Sequence, residues 1–553
     1  MNMIQWSVSE IALKAQDAHS WWSFPVQVTF SHAEDDAEIV VDGVWDGKDR
    51  WIVRFAMPLP GTWRWHTHSR DPGLDGRTGE LDVLPAGSQQ LSCNPNYHGH
   101  IGISANGRHF EHADGTPFFL LADTLWAGNT ARCGLGDNQD GPFFAYLDDR
   151  ESRGFTTILM QCMRGFGDTA TETAGQRNEG GYPFHEDDLN RLNPAYFQAL
   201  DTRMDALWLR GFAVATPITW WGKMKNCFFD LEWAKRIGAY LMARYGAYNL
   251  LWSLSGEYQY ALRDCGWSVE GINELGEAVQ MHNVYQHPVS IHPSGRTDWP
   301  EPHNVQSSGP FHSEGWLDHH WLQTGQSIDR MYNIVVRCRE NRDLMPTRPV
   351  FCAESYYERQ AEVDAEGGYH ARWQAWTAFL SGAAGYGYGA FGVWQFYDPD
   401  DPDGETGKDV HNVVPWQEAL AFEGVGYMRH VKSLMILYPW WNLEPHREWL
   451  RVNGALNPLP TADDLTPPHC AAIPNQLVIV YVPRGNEDQV IEVTHLDGNR
   501  YTAEWINPRD GNRIAIDSPV QDVDEWRLPE RPQPATEDWV MVLSGAQSDL
   551  SMG

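Results

Sequence analysis

Two glutamates directly follow apolar segments of strand length: Glu257 in WSLSGEY and Glu354 in PVFCAESYYE. A pair of carboxyl groups about 5–5.5 Å apart supports double displacement at a glycosidic carbon, in which one group protonates the leaving oxygen and the other attacks the anomeric carbon. Partial burial and neighbouring negative charge would keep one carboxyl protonated while the other stays ionised. The alternative for either residue alone is a helix cap or a structural acid paired with Arg. We expect Ser255-Gly256 to let the chain leave its strand before Glu257.

Other polar and aromatic side chains follow apolar segments in the same way, and the chain contains 27 Trp. Indole rings stack on the apolar faces of sugars, although each Trp could equally pack in the core. Asp123 either binds sugar hydroxyls or caps the segment after its strand. Arg164 orients a carboxylate of the protein or of an acidic sugar, and His292 either lines a site or is a satisfied buried histidine. The candidate substrate-binding residues are Asp123, Trp126, Arg164, Trp220, Trp221, His292, Gln323, Tyr356 and Trp394.

Eight apolar segments of strand length alternate with longer amphipathic stretches in the middle of the chain. Continuously apolar strands are typical of a parallel sheet covered on both faces, and eight of them suit a (β/α)8 barrel. An open doubly wound sheet is the alternative, but LLADTLWAGNT lacks the G-x-G-x-x-G turn that it favours. In a barrel, Glu257 after strand 4 and Glu354 after strand 7 face one another at the mouth. The segments are FFLLAD (118–123), FTTILMQC (155–162), FAVATPI (212–218), NLLWSLS (249–255), PVSIH (288–292), WLDHHWLQ (316–323), PVFCAE (349–354) and AGYGYGAF (384–391).

The two ends of the chain carry short alternating strands between Asp-Gly and Pro-Gly turn signals, such as AEIVVDGVW and NQLVIVYVP. These patterns are typical of small antiparallel sandwiches. The predicted fold is therefore α/β, a (β/α)8 TIM barrel flanked by an N-terminal and a C-terminal antiparallel β-sandwich. The predicted domains are residues 1–92, 93–436 and 437–553.

The composition limits the partners and the compartment. A formal net charge of −33 repels nucleic-acid phosphates and anionic membranes, so neither is predicted as a partner. The start, MNMIQWSVSEIALKAQ, lacks the pattern of a signal peptide, and no stretch has the length of a membrane span. The eight Cys are scattered without a C-x-x-C pair, which predicts buried free thiols in a reducing compartment. We therefore expect a cytoplasmic protein.

No cofactor and no metal are predicted. The acidic stretch FYDPDDPDGETGKD (396–409) misses the spacing of a calcium loop. A metal-dependent barrel hydrolase could use His292, His319 or His320, and Asp398, but it needs an H-x-H motif after strand 1, where Ala122-Asp123-Thr124 stands. A non-catalytic carbohydrate-binding protein is a second alternative, since sandwich domains are common in such proteins. The sequence leaves the oligomeric state open.

Five motifs resemble the apiosidase-like glycoside hydrolases, a (β/α)8 family: FFLLADTLW, LLWSLSGEY, FHSEGWLDHHWLQTG, RPVFCAESYYE and AGYGYGAFGVWQFYDP. Residues 1–90 resemble the immunoglobulin-like domain that often precedes this barrel, and the tail resembles a β-sandwich labelled as collagen-binding. The resemblance implies that Glu257 is the acid/base, that Glu354 is the nucleophile, and that Asp123 lines the subsite for the terminal sugar.

The sequence departs from the family pattern at two places that bear on the sugar. Apiose-releasing members carry Asp in the strand-4 position, where this chain has Glu257. The strand-6 motif usually ends in Gln-Ser-Gly-His and here reads Gln323-Thr324-Gly325-Gln326. The expectation is a retaining glycoside hydrolase that acts on the ends of plant or algal oligosaccharides, with the sugar and the linkage left open.

Overall fold

The computed structural model describes residues 2–165, 175–220, 230–296, 299, 305–360, 366–400 and 413–545. The N-terminal region forms two packed sheets, in the orders β1-β8-β7-β3-β4 and β2-β6-β5. All of their pairs are antiparallel except β1 with β8. Along β3, Val26, Val28 and Phe30 alternate into the core while Gln27 is exposed, as expected for a half-buried strand. The strands are β1 (Asn2–Ile4), β2 (Ser9–Lys14), β3 (Val26–His32), β4 (Glu38–Asp42), β5 (Val44–Trp45), β6 (Arg50–Phe55), β7 (Gly61–Ser69) and β8 (Thr78–Leu84).

Three short strands and a parallel eight-stranded sheet follow. The sheet has the order β16-β15-β14-β13-β12-β19-β18-β17. Between β16 and β17, the Asp318 N–H donates to Val289 O at 2.8 Å and the Ser290 hydroxyl donates to His319 O at 2.7 Å, which nearly closes the barrel. The strands are β9 (Ile101–Ile103), β10 (Phe110–His112), β11 (Pro117–Phe118), β12 (Leu120–Thr124), β13 (Thr157–Leu159), β14 (Ala213–Trp220), β15 (Leu250–Gly256), β16 (Val289–Ser290), β17 (His320–Gln323), β18 (Val350–Glu354) and β19 (Gly385–Tyr388).

The barrel interior is a packed apolar core that begins at its N-terminal end. Ala122, Leu159 and Phe351 pack together inside it, and Phe110 of β10 and Phe118 of β11 join the same cluster. The small sheet β9–β11 therefore closes the N-terminal end of the barrel, and the C-terminal ends of the strands carry the polar residues. All eight predicted barrel strands are confirmed.

Helices cover the outside of the barrel, and some of them begin at a residue whose side chain caps the first turn. The Asp230 carboxylate accepts from Trp233 N–H at 2.7 Å, and Asn193 accepts from Ala195 N–H at 3.2 Å just before Pro194. The helices are α1 (Ser88–Cys93), α2 (Pro142–Ser152), α3 (Pro194–Leu209), α4 (Leu231–Tyr245), α5 (Tyr258–Asp264), α6 (Val269–Gln280), α7 (Ser308–Phe311), α8 (Asn333–Arg342), α9 (Gly367–Leu380), α10 (Trp416–Ala419) and α11 (Glu423–Met435).

The C-terminal region is a second pair of antiparallel sheets, in the orders β20-β23-β24-β29-β26-β27 and β22-β21-β25-β28. Strand β24 is buried along its whole length, because one face meets the opposite sheet and the other packs on the barrel helices. The strands are β20 (Glu444–Pro445), β21 (Leu450–Val452), β22 (Ala455–Leu456), β23 (His469–Ile473), β24 (Leu477–Val482), β25 (Ile491–Val493), β26 (Tyr501–Ile506), β27 (Arg513–Ala515), β28 (Trp526–Arg527) and β29 (Trp539–Gly545).

Buried ion pairs fix both sandwiches on the barrel. Arg244 of α4 donates to Asp46 of the N-terminal region at 2.8 Å and to Asp201 of α3 at 2.6 Å. Arg372 of α9 makes two hydrogen bonds, of 2.7 and 2.6 Å, to Asp538 of the C-terminal region. Removing one partner of such a pair leaves an uncompensated buried charge, so both contacts hold the sandwiches in fixed positions.

The prediction that all cysteines are buried free thiols is wrong for two of them, Cys265 and Cys93. Cys265 is disulfide-bonded, whereas Cys133, Cys162, Cys338, Cys352 and Cys470 are buried free thiols and Cys93 is an exposed one. A disulfide is uncommon in a reducing compartment, so the cysteines do not support the predicted cytoplasmic location. Among the described residues, no helix combines the length and the apolar character needed to cross a membrane.

Candidate active site

Glu354 is the last residue of β18, and its carboxylate lies almost fully buried at the C-terminal end of the barrel. The Gln323 side-chain amide, at the end of β17, donates to Oε1 at 2.9 Å, and the Gln326 amide donates to the same oxygen at 2.5 Å. His292 Nε2 lies 2.9 Å from Oε2. Tyr357 also donates its hydroxyl to this carboxylate. Hydrogen bonds from several donors stabilise the charged form of a buried carboxyl group.

Glu257 follows β15 directly and is half-buried. Its backbone is left-handed, with φ 47° and ψ 52°. A non-glycine residue rarely adopts this conformation, and such residues cluster at functional sites. The chain therefore leaves the strand at Glu257 itself and not at Ser255-Gly256, which corrects the prediction for this turn.

Gly256 has a different role, which concerns the neighbouring strand. It is the partner of Trp220 in the pairing of β14 with β15. A Cβ atom at position 256 would lie 1.9 Å from Cε3 of Trp220. Only glycine lets the Trp220 ring lie against the backbone next to Glu257, so the glycine fixes this ring beside the candidate acid.

Aromatic rings cluster at the same end of the barrel as the two glutamates. Trp126 lies 5.0 Å from Trp220 between ring centroids, and the Trp126 indole N–H donates to the Tyr357 hydroxyl at 3.0 Å. The buried Arg164 guanidinium lies 5.2 Å from the ring centroid of the half-buried Trp394. The structure thus brings Trp126, Arg164, Trp220 and Trp394 to the same end of the barrel as the glutamates.

Asp123 does not belong to this group. Leu120 and Ala122 of β12 point into the barrel, so Asp123 points outward, where its carboxylate accepts from Tyr146 at 2.5 Å and from Arg150 Nε at 2.7 Å. Both partners lie on α2 and are fully buried. The prediction that Asp123 lines a sugar subsite is corrected to a structural ion pair between strand and helix.

Tyr356 also points away from the site. Its ring packs in the core between barrel and helices, 6.2 Å from His370 of α9, while the adjacent Tyr357 contacts Glu354 and Trp126. Burial and the nearby Glu354 raise the pKa of Tyr357 well above its ordinary value, so its hydroxyl stays protonated and can donate. The sequence motif ESYYE thus contained the site tyrosine, and the prediction selected the wrong one of the two.

Trp221, a predicted substrate-binding residue, lies outside the described residues. Positions 401–409 of the acidic stretch 396–409 also lie outside them. Tyr357 was not among the predicted site residues, and Gln326 was predicted only as a departure from the family pattern. A polar side chain within three residues of a strand end is the signal that could have identified either one.

Two of the histidines that a metal-dependent hydrolase could use lie away from the candidate site, while the third, His292, contacts Glu354. His319 and His320 are buried at the start of β17, where the His319 ring lies 5.4 Å from Phe110 and the His320 ring stacks on His312. In the described part of the chain, no group of three or more His, Cys, Asp or Glu side chains is arranged to hold a metal ion.

Solved structures of glycoside hydrolases share this fold. A "putative glycoside hydrolase" from Bacteroides vulgatus ATCC 8482 is 17% identical with a TM-score of 0.68, covering 98% of this chain and 99% of its own. A glycoside hydrolase family 5 protein from the same organism is 20% identical with a TM-score of 0.66. The match covers 82% of this chain and 96% of that protein. None of the curated proteins compared with the chain matches it. The fold is thus that of barrel glycoside hydrolases with flanking β-domains.

Three family descriptions match along the sequence. "Apiosidase-like, catalytic domain" matches residues 104–442, which is more than half of the chain. A domain of unknown function, DUF5060, matches residues 2–70, and "Putative collagen-binding domain of a collagenase" matches residues 463–544. The chain belongs to the apiosidase-like family and is an enzyme of the glycoside hydrolase class.

Proposed function

We propose that this enzyme is a retaining exo-glycosidase in which Glu354 is the nucleophile and Glu257 is the acid/base. The observation that carries the proposal is the environment of Glu354. Its carboxylate stands at the end of the seventh barrel strand with Gln323, Gln326 and Tyr357 donating to it. These donors hold the group in one orientation and favour its ionised form, which is what attack on an anomeric carbon requires.

The placement of Glu257 supports the role of proton donor. It follows the fourth strand, and its left-handed backbone directs the chain out of the sheet beside the Trp220 ring. Retaining hydrolysis needs a second carboxyl group near the nucleophile that gives its proton to the leaving oxygen and later takes one from water. Glu257 is half-buried, so it can exchange protons with solvent between the two steps.

The depth of the site supports action on chain ends. Glu354 is 2% exposed, and the Trp126 and Trp220 rings pack against each other at the same end of the barrel. A deeply buried nucleophile suits the terminal residue of an oligosaccharide better than the middle of a long chain. With the family membership, this favours plant or algal oligosaccharides as the substrate class.

The test is a comparison of Glu354→Gln and Glu257→Gln with the wild type on a panel of aryl glycosides and plant and algal oligosaccharides. We expect each variant to lose at least about 10³-fold in kcat/KM, since the nucleophile or the acid is removed. Glu111→Gln is the matched control, because Glu111 lies on β10 at the opposite end of the barrel, and it should keep wild-type activity. Wild-type hydrolysis by either site variant would exclude the assignment, and a product of inverted configuration would exclude the retaining mechanism.

A further inference from the structure

His292 has an acceptor at both ring nitrogens. Nδ1 lies 2.6 Å from the backbone carbonyl oxygen of Pro293, and Nε2 lies 2.9 Å from Oε2 of Glu354. The side chain is fully buried, so water cannot take the place of either partner. A carbonyl oxygen can only accept, and Nδ1 must therefore carry a hydrogen.

The hydrogen at Nδ1 fixes the number of protons in the His292–Glu354 pair. A neutral imidazole with its hydrogen on Nδ1 has a bare lone pair on Nε2, which would face a lone pair of an ionised carboxylate. The contact is attractive only when a further proton lies between Nε2 and Oε2. The pair thus consists either of an imidazolium and a carboxylate or of a neutral imidazole and a carboxylic acid.

The surroundings of the pair favour the ionic form. Three indole rings pack around His292, those of Trp126, Trp220 and Trp321, at centroid distances of 5.7, 5.0 and 5.4 Å. Indole rings attract a cation, while the donors at Glu354 stabilise an anion. Ionisable groups on neighbouring elements of the described chain include Glu257 after β15, Tyr258 of α5, His319 next to Trp321, and Tyr357 after β18.

We propose that His292 is an imidazolium whose positive charge assists the second step of hydrolysis, the release of the sugar from Glu354. In the first step the carboxylate bonds to the anomeric carbon, the glycosidic C–O bond breaks, and Glu257 gives its proton to the leaving oxygen. Glu354 is then a neutral ester and the imidazolium has lost its counter-ion. In the second step water attacks the anomeric carbon, Glu257 takes the proton of that water, and the bond to Glu354 breaks. The carboxylate that leaves regains its negative charge beside the His292 cation, which lowers the barrier of this step.

The charge of His292 can be measured without any assumption about the reaction. Long-range ¹H–¹⁵N spectra of the full-length protein labelled at histidine report whether one or both ring nitrogens carry hydrogen. We expect two protonated nitrogens at His292 in the wild type, assigned through the signals lost in His292→Gln. In Glu354→Gln the amide can donate to Nε2, so His292 should become neutral with its hydrogen on Nδ1. A single protonated nitrogen in the wild type would overturn the proposal.

The proposed role of His292 in sugar release rests on the proposed retaining mechanism. Kinetic measurements test this role separately from the charge of His292. With an aryl glycoside that has a good leaving group, His292→Gln should lower kcat by about 10- to 100-fold and lower KM with it, because the glycosyl-enzyme accumulates. Rapid mixing should show a burst of phenol close to one equivalent per enzyme. A fall in kcat at unchanged KM without a burst would overturn the role of His292 in sugar release. If the products show inversion instead, the proposed function fails while the measured charge of His292 stands.

Discussion

At the scale of single residues, the direction of a side chain at a strand end decides whether it takes part in chemistry. Asp123 and Glu354 both lie at the C-terminal ends of apolar barrel strands, and both are buried carboxylates. Asp123 points outward to Arg150 on α2, whereas Glu354 points inward to side chains from two other strand ends. The first is a structural ion pair, and the second is the candidate nucleophile.

The hydroxyl of Tyr357 should matter for turnover, and that of its neighbour should not. Tyr357→Phe removes a donor to Glu354, and we expect kcat to fall about 10-fold, the equivalent of about 1.4 kcal/mol, with little change in KM. Tyr356→Phe is the matched control, because Tyr356 packs in the core between barrel and helices. Steady-state kinetics of the two variants test this, and equal effects at both positions would contradict the assignment.

Asp123 should contribute to stability and not to the sugar site. Asp123→Asn leaves Arg150 buried opposite a neutral group, and we expect the free energy of unfolding to fall by about 3 kcal/mol. KM for the best aryl glycoside should stay within about twofold of wild type, since the side chain does not reach the barrel mouth. Urea unfolding and kinetics of the folded variant measure both quantities. A large rise in KM with unchanged stability would return Asp123 to the substrate site.

The side-chain directions also show where prediction from the sequence ends. The eight barrel strands were predictable because buried parallel strands are continuously apolar. A continuously apolar strand does not show which of its residues point into the barrel and which point to the helices. For this reason Asp123 was predicted to lie in the site, and Tyr356 was predicted in place of Tyr357. The partners of Glu354 come from the segment after β16, from β17 and the turn after it, and from the segment after β18, and only the packing of the barrel brings them together.

At the scale of elements, the junction of β14 and β15 positions the candidate acid. We expect Gly256→Ala to displace the Trp220 ring, because the new methyl group would lie 1.9 Å from it, and to lower kcat/KM at least about 10-fold. Gly271→Ala in α6 is the control, since the nearest atom is 3.6 Å away and alanine favours the helix. That control should keep full activity and gain up to about 1 kcal/mol of stability. Wild-type activity in Gly256→Ala would show that Trp220 does not position the site.

At the scale of the whole molecule, buried histidines make the fold sensitive to acid. Burial lowers the pKa of His112 and His287 to about 4 and that of His319 and His469 to about 3. In the unfolded chain these groups have pKa values near 6.5, so below that pH the unfolded state binds more protons. Stability is therefore independent of these groups above about pH 6.5 and falls as the pH decreases toward 4, by up to about 1.4 kcal/mol per pH unit for each histidine.

The variant His319→Leu tests this dependence. In the described structure neither ring nitrogen of His319 has a hydrogen-bond partner, so leucine removes a buried polar group without breaking a hydrogen bond. Urea unfolding from pH 7 to pH 4.5 should show a slope smaller by about 1.4 kcal/mol per pH unit than in the wild type. An unchanged slope would show that His319 already binds a proton in the folded protein.

The central claim is that Glu354 is the nucleophile of a retaining glycosidase, and chemical rescue of Glu354→Ala tests it most directly. The substrate is the aryl glycoside that the wild type hydrolyses fastest. We predict that the variant is inactive alone and that azide restores release of the phenol, giving a glycosyl azide of inverted configuration, because the anion takes the place of the missing carboxylate. Turnover at the wild-type rate by Glu354→Ala without azide would contradict the claim.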